Sequence, residues 1–199
     1  MEGNKLSILK IFTVGMPVLK KKADQVVVID NKVRELVKSM SDTMRAAGGL
    51  GLAAPQVGVS LRVVVIDLGY IEDEDTHYNG NIKESFDLMV LINPEIVNEY
   101  GSVQIIEGCL SVPGYRAEVK RYSNIKVKYT DINGEEKVME TQGLAAVAIQ
   151  HEIDHLNGTL FIDRISNLRK RIAIKKVKRY LEHIKQNGDE IESTLYGQS

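Results

Sequence analysis

The 199-residue chain has no tryptophan, three phenylalanines, four prolines and a single cysteine. One cysteine excludes an intramolecular disulfide, so stability must come from a buried core. Any role for Cys109 is then thiolate chemistry in a reducing compartment. No apolar run approaches the roughly 20 residues needed to span a bilayer. The opening MEGNKLSILKIFTVG lacks the apolar stretch of a secretory leader, and the reading is a cytoplasmic protein. Net charge is scarce as well. At -1 it gives no global reason to bind DNA or a membrane surface. The 43% hydrophobic and 27% charged residues are ordinary for a globular domain, which excludes a wholly disordered or fibrous chain.

The near-neutral total hides an asymmetry. Residues 164–185 hold nine Lys/Arg against one Glu, a local +8 that leaves -9 for the remainder. The expected organisation is a main domain over 1–163, a basic C-terminal helix over 164–186 packed on it, and a disordered polar tail over 187–199. Within the basic helix Ile165, Leu168, Ile172, Ala173, Val177, Leu181 and Ile184 trace a drifting apolar stripe. Upstream, Val33, Leu36, Val37, Met40 and Met44 recur at helical spacing and predict an amphipathic helix over 31–47. Short β-branched runs at 61–67, 88–93 and 102–106 predict strands. Residues 124–131 and 135–141 flank Ile132-Asn133-Gly134, a hairpin signal. Residues 70–87 form a long acidic excursion between two strands. A second helix is predicted from Gly143 to the stop at Asn157-Gly158. Clustered strands with few helices argue α+β rather than alternating βαβ units.

The second helix carries the sharpest signal, His151-Glu152-Ile153-Asp154-His155. Histidines at i and i+4 share a helix face and can bind one cation, and Glu152 can then handle the proton of a metal-bound water. Leu144, Val147 and Ala148 fall on the same stripe, an apolar floor leading to the metal. A catalytic site of this kind takes three protein ligands. His77 and His183 are poor thirds, one in the acidic excursion and one in the basic helix. Cys109, within Glu107-Gly108-Cys109-Leu110-Ser111, is the better candidate, because a soft thiolate suits Zn²⁺ or Fe²⁺. Residues 49–56, GLGLAAPQ, superficially fit a dinucleotide fingerprint. That fingerprint must follow a strand and open a helix, whereas here it follows a helix and runs into Pro55. The glycines instead allow close approach by substrate or strand, and Gln56 could aim its amide at a developing oxyanion.

Taken together, GLGLAAPQ (49–56), EGCLS (107–111), QHEIDH (150–155) and GMPVL (15–19) resemble the motifs of the peptide deformylases. These metal hydrolases remove the N-formyl group from nascent bacterial polypeptides. The resemblance spans residues 9–162, with the acidic excursion as its departure from the shortest members. It implies antiparallel or mixed sheets packed around the HExxH helix. It implies Cys109, His151 and His155 as ligands of Fe²⁺, with Zn²⁺, Ni²⁺ or Co²⁺ accepted. Glu152 would carry the proton, and Gln56 with the Leu110 backbone N–H would stabilise the oxyanion. The formyl-methionine side chain would sit on Leu50, Ile105, Leu144, Val147 and Ala148, with Gly51 leaving room for substrate backbone. Glu107 and Arg121 would form an ion pair bracing the Cys109 loop, and the basic helix would dock on the ribosome. Two other readings compete: a zincin-type peptidase recruiting Glu182, and a non-catalytic RNA-binding module built on the basic helix.

Overall fold

The computed structural model describes residues 7–69 and 88–187. The acidic excursion, with His77, and the tail beyond Asn187 lie outside the described residues. The first helix, α1 (Asn31–Ala46), starts where the Asp30 carboxylate accepts a hydrogen bond from Val33 N at 3.0 Å. It buries Val33, Val37, Met40 and Met44, the stripe its periodicity predicts. Strands follow as β1 (Gly51–Ala53), β2 (Val63–Ile66), β3 (Met89–Tyr100), β4 (Val103–Glu107), β5 (Ala117–Arg121), β6 (Asn124–Thr130) and β7 (Glu136–Gln142). The described residues hold two further α-helices, α2 (Gly143–Leu156) and α3 (Asn167–Asn187). The class is α+β.

Five strands form one antiparallel sheet in the order β1-β2-β3-β6-β7, and β4 pairs with β5 in a separate antiparallel ribbon. The β6–β7 hairpin turns at Asn133-Gly134, with Gly134 at φ +88°. The Asp131 carboxylate accepts from both Asn133 N and Glu135 N, so this is a side-chain-locked loop rather than a two-residue turn. Strand β3 runs much further than the expected 88–93. Asn93-Pro94 looks like a break, yet Asn93 adopts φ +52° at a register shift and the strand continues. The Asn93 amide also holds the chain at Val26, accepting from its N–H and donating to its carbonyl. Strand β5 reads as a charged stretch in the sequence. Its alternation nevertheless buries Val119 and Arg121 while exposing Glu118 and Lys120.

Helix α2 is buried on nearly every side and packs against the five-stranded sheet through Ala145, Ala146, Ile149 and Ile153. Helix α3 closes a further core cluster. Ala173 and Val177 are buried there with Val112, Val119 and Phe161, and Ile165, Ile174 and Leu181 pack at its edge. Leu168 and Ile172 do not join that face as the drifting stripe expects; they are 63% and 45% exposed. The buried line instead steps through 173, 177 and 184 at close to helical spacing, which turns 168 and 172 toward solvent. No helix of the described residues is long and apolar enough to cross a membrane.

Candidate metal centre

Two elements bring the three predicted ligands together. Helix α2 supplies His151 and His155 on one face, and the loop after β4 supplies Cys109. One ligating atom from each of the three lies within 4.8 Å of the others. Cys109 Sγ stands 3.3 Å from His155 Nε2. Glu182 is exposed on α3 and takes no part, which removes the peptidase ligand set.

Each ligand is oriented by a neighbour. His151 Nδ1 meets Glu107 Oε2 at 2.7 Å. An ionised carboxylate only accepts, so Nδ1 carries a hydrogen, and Nε2 is the nitrogen left to bind a cation once its own proton is displaced. The His151 ring also stacks on buried Phe161, with centroids 6.2 Å apart. The Gln56 amide donates to Ser111 Oγ at 3.2 Å and toward Cys109 Sγ at 3.6 Å, while its oxygen accepts from Ala53 N at 2.8 Å. Gln56 therefore ties the β1 turn to the cysteine loop as well as presenting an N–H beside the thiol.

Electrostatics follows from burial. Burial pushes Glu107 up, but hydrogen bonds from Arg121 and His151 outweigh it and bring the carboxyl down to about 2. Burial pushes His151 down, yet its contacts with Cys109 and Glu107 hold it well above its ordinary value. Burial and the adjacent charges of His151 and Arg121 hold His155 well below its own, as a neutral lone-pair donor requires. Burial lifts Glu152 to about 7, against the pull of His151, so it can hold a proton or release one near neutrality.

Two polar atoms here, Glu152 Oε2 and His155 Nδ1, are buried without a hydrogen-bond partner. An orphaned buried polar group costs roughly 1–3 kcal/mol. Two of them beside a thiol and two imidazoles fit a site built to receive a cation and the groups it carries. The donor set, one sulfur and two nitrogens, suits a borderline-soft divalent ion.

The glycines of 49–56 serve this packing. A Cβ at Gly51 would stand 2.5 Å from Glu152 Oε1, and one at Gly49 would stand 2.9 Å from Leu110 Cδ1. The room left by the missing Gly51 side chain is taken by the Glu152 carboxylate. Leu50, Leu144 and Ala148 are half-buried at the edge of one core cluster. Val147 is buried, and Ile105 lies half-buried in β4.

Behind the ligands runs a row of charges. Arg121 Nε and Nη2 donate to the two Glu107 oxygens at 2.6 and 2.9 Å, and Nη1 donates to Asp154 at 2.6 Å. Arg164 grips Asp154 with a second fork. Asp154 and Arg164 were missed in the sequence. Asp154 sits inside the HExxH motif on a mostly apolar helix, which is a signal, whereas nothing distinguishes Arg164 from its basic neighbours.

Residues 8–171 match the family model described as Polypeptide deformylase. The chain belongs to the peptide deformylase family. It is 47% identical over 175 residues to the peptide deformylase of Desulfotalea psychrophila, covering 88% of this chain and 98% of that one. The crystal structure of the Ehrlichia chaffeensis peptide deformylase superposes with a TM-score of 0.81 at 42% identity, covering 89% of this chain and 98% of that one. A second structure of that enzyme, in complex with actinonin, gives 0.78 at 40% identity, covering 87% and 98%. As a deformylase this chain is a metal-dependent hydrolase that acts on the formylated amino termini of nascent polypeptides. Membership overturns the reading as a non-catalytic RNA-binding module.

Proposed function

We propose that Cys109, His151 and His155 hold one divalent cation, Fe²⁺ in the cell, and that Glu152 carries the proton of the deformylation. The observation behind this reading is the convergence of three donor atoms within 4.8 Å beside a buried carboxylate. When bound, the cation supplies Lewis acidity, activating water and polarising the formyl oxygen. Glu152 takes the proton from the attacking water and delivers it to the departing amine nitrogen, and formate and a free amino terminus result. The Gln56 amide and the Leu110 backbone N–H donate to the formyl oxygen as it gains charge; one such donor is worth about 3 kcal/mol. Leu50, Ile105, Leu144, Val147 and Ala148 receive the methionine side chain, whose unbranched thioether suits an irregular apolar slot. Gly51 lies on β1, an edge strand of the five-stranded sheet, where an extended substrate can add by backbone pairing. The ion pair of Glu107 with Arg121 braces the cysteine loop.

Loaded with Ni²⁺, the protein should release formate from formyl-Met-Ala-Ser. Cys109→Ser should lose the metal, and Glu152→Gln should keep it while turnover falls at least about 10²-fold. Metal retention in the first variant, or near-wild-type turnover in the second, would refute the assignment concerned.

The division into a catalytic domain over 1–163 and a basic helix over 164–186 belongs to the same reading, as does a reducing cytoplasmic location. Arg169, Arg171, Lys175, Lys178 and Arg179 are exposed on α3, a surface suited to the RNA phosphate of the ribosome. Because α3 closes a core cluster, neutralising Arg169, Lys175 and Lys178 tests docking better than deleting the helix. Ribosome co-sedimentation at low salt should fall while hydrolysis of short peptides persists. Unchanged co-sedimentation would remove the docking role.

A further inference from the structure

We propose that Arg164, acting through Asp154, is a positioning residue for the His151 ring, an inference that rests on the ligand assignment above. A chain of direct contacts connects them. Arg164 Nε and Nη2 bind the two Asp154 oxygens, each at 2.5 Å. Asp154 Oδ2 also accepts from Arg121 Nη1, the rest of the Arg121 fork holds Glu107, and Glu107 holds His151 Nδ1.

The charges explain why the outer member matters. The Glu107, Asp154 and Arg121 side chains are 5%, 8% and 1% exposed, two negative charges against one positive. Arg164, 44% exposed, supplies a second guanidinium to Asp154, on the side of the row away from the Glu107–His151 contact. It does so from outside. A cavity of about 1270 Å³ opens behind α2, lined among others by Gln150, Asp154, Asn157 and Arg164, and none of the three ligands reaches it. Arg164 thus stands in the wall of an open cleft, in the turn between Phe161–Asp163 and α3.

Without Arg164, the Asp154 carboxylate faces one guanidinium that it must share. Arg121 already commits Nε and Nη2 to Glu107. Drawing Arg121 toward Asp154 lengthens those two bonds, and Glu107 then grips His151 Nδ1 less firmly. The ring keeps its stacking on Phe161, its edge contact with His155 and its contact with Cys109, none of which holds Nδ1. Groups that orient a metal-ligating histidine typically carry 10–100-fold in metal affinity. Arg164 belongs with them, although it touches no ligand.

The test uses the full-length protein loaded with Co²⁺. It reads the rate of Co²⁺ loss to excess chelator and the visible absorption bands of the bound ion. Arg164→Met should release Co²⁺ about 10–100-fold faster with shifted bands. Arg164→Lys, which keeps the charge but not the fork, should fall between it and wild type. Glu107→Gln should itself speed release, and Arg164→Met added to it should contribute little, because the path runs through Glu107. A merely structural Arg164 would add its full effect. Should Arg164→Met fail to fold, Arg164→Lys takes its place in the same cycle. Wild-type release and bands in the Arg164 variant that folds, or full additivity with Glu107→Gln, would overturn the proposal. The ligand reading is tested separately: His151→Ala or Cys109→Ala that still holds Co²⁺ would sink that assignment instead.

Discussion

Helices α1 and α2 are built on opposite terms. α1 is amphipathic, with Val33, Val37, Met40 and Met44 buried and charged residues facing solvent. Beyond that stripe its tertiary polar contacts are neutral or at the surface: Thr43 Oγ1 accepts from Leu9 N, and half-exposed Arg45 binds Asp67. α2 is buried almost all round, and the buried set includes Gln150, Glu152, Asp154 and His155. Each polar group there either finds a partner from another element or is left for the cation. Gln150 meets the Tyr122 backbone, Asp154 meets Arg121 and Arg164, and His151 meets Glu107. The difference teaches where the molecule's fragility lies. Errors in α1 cost packing, while errors around α2 strand a charge.

The largest expected effect comes from removing the shared partner of that charged wall. Arg121→Met leaves buried Glu107 with only His151 and buried Asp154 with only Arg164, their shared guanidinium gone, and should cost about 3–5 kcal/mol of unfolding free energy. Denaturant titration checks it, and a cost below that of an α1 core truncation would break the contrast. Met40→Ala is that truncation. Met40 is fully buried in α1, and its loss should cost about 3 kcal/mol while metal content stays unchanged. Asp30→Ala removes the α1 cap alone and should cost about 1 kcal/mol. The smallest effect belongs to a partly exposed cluster of three charges outside both helices. Asp163 lies between Lys20 and Lys170, and although burial raises its pKa, those two lysines outweigh it and hold the group below its ordinary value. A depressed carboxylate stabilises above its unfolded pKa, near 4, and that contribution is lost as pH falls through the folded value. Asp163→Asn should therefore lower stability by less than about 1 kcal/mol at pH 7 and by nothing measurable at pH 2. Melting curves at the two pH values decide it.

The same contrast explains how much was legible beforehand. The α1 stripe, the β6–β7 hairpin and the bounds of α2 follow from local periodicity and turn chemistry, because neighbours in sequence create those signals. Strand β5 did not show itself. Its exposed Glu118 and Lys120 mask an alternation that becomes visible only when Val119 and Arg121 are seen inside. The run of β3 past Pro94 was equally hidden, since a register shift absorbs the proline and Asn93 accepts the left-handed conformation. In the site, the histidines were readable from their i and i+4 spacing. Arg164 was not, because it becomes special only when Asp154 lies opposite it.

By itself the sequence determined the helix that carries the paired histidines and glutamate, the lone thiol as the one thiolate on offer, and the class of fold. Those are matters of residue type and short-range spacing. Only the tertiary structure decided that Cys109 meets His155 across 46 positions, that Gly51 makes room for Glu152, and that Arg121 faces inward between two carboxylates. Such facts depend on which buried groups share a low-dielectric space. A buried charge is tolerable only where another element brings its counter-charge, and that meeting is written in the packing of β4, β5, α2 and the turn before α3.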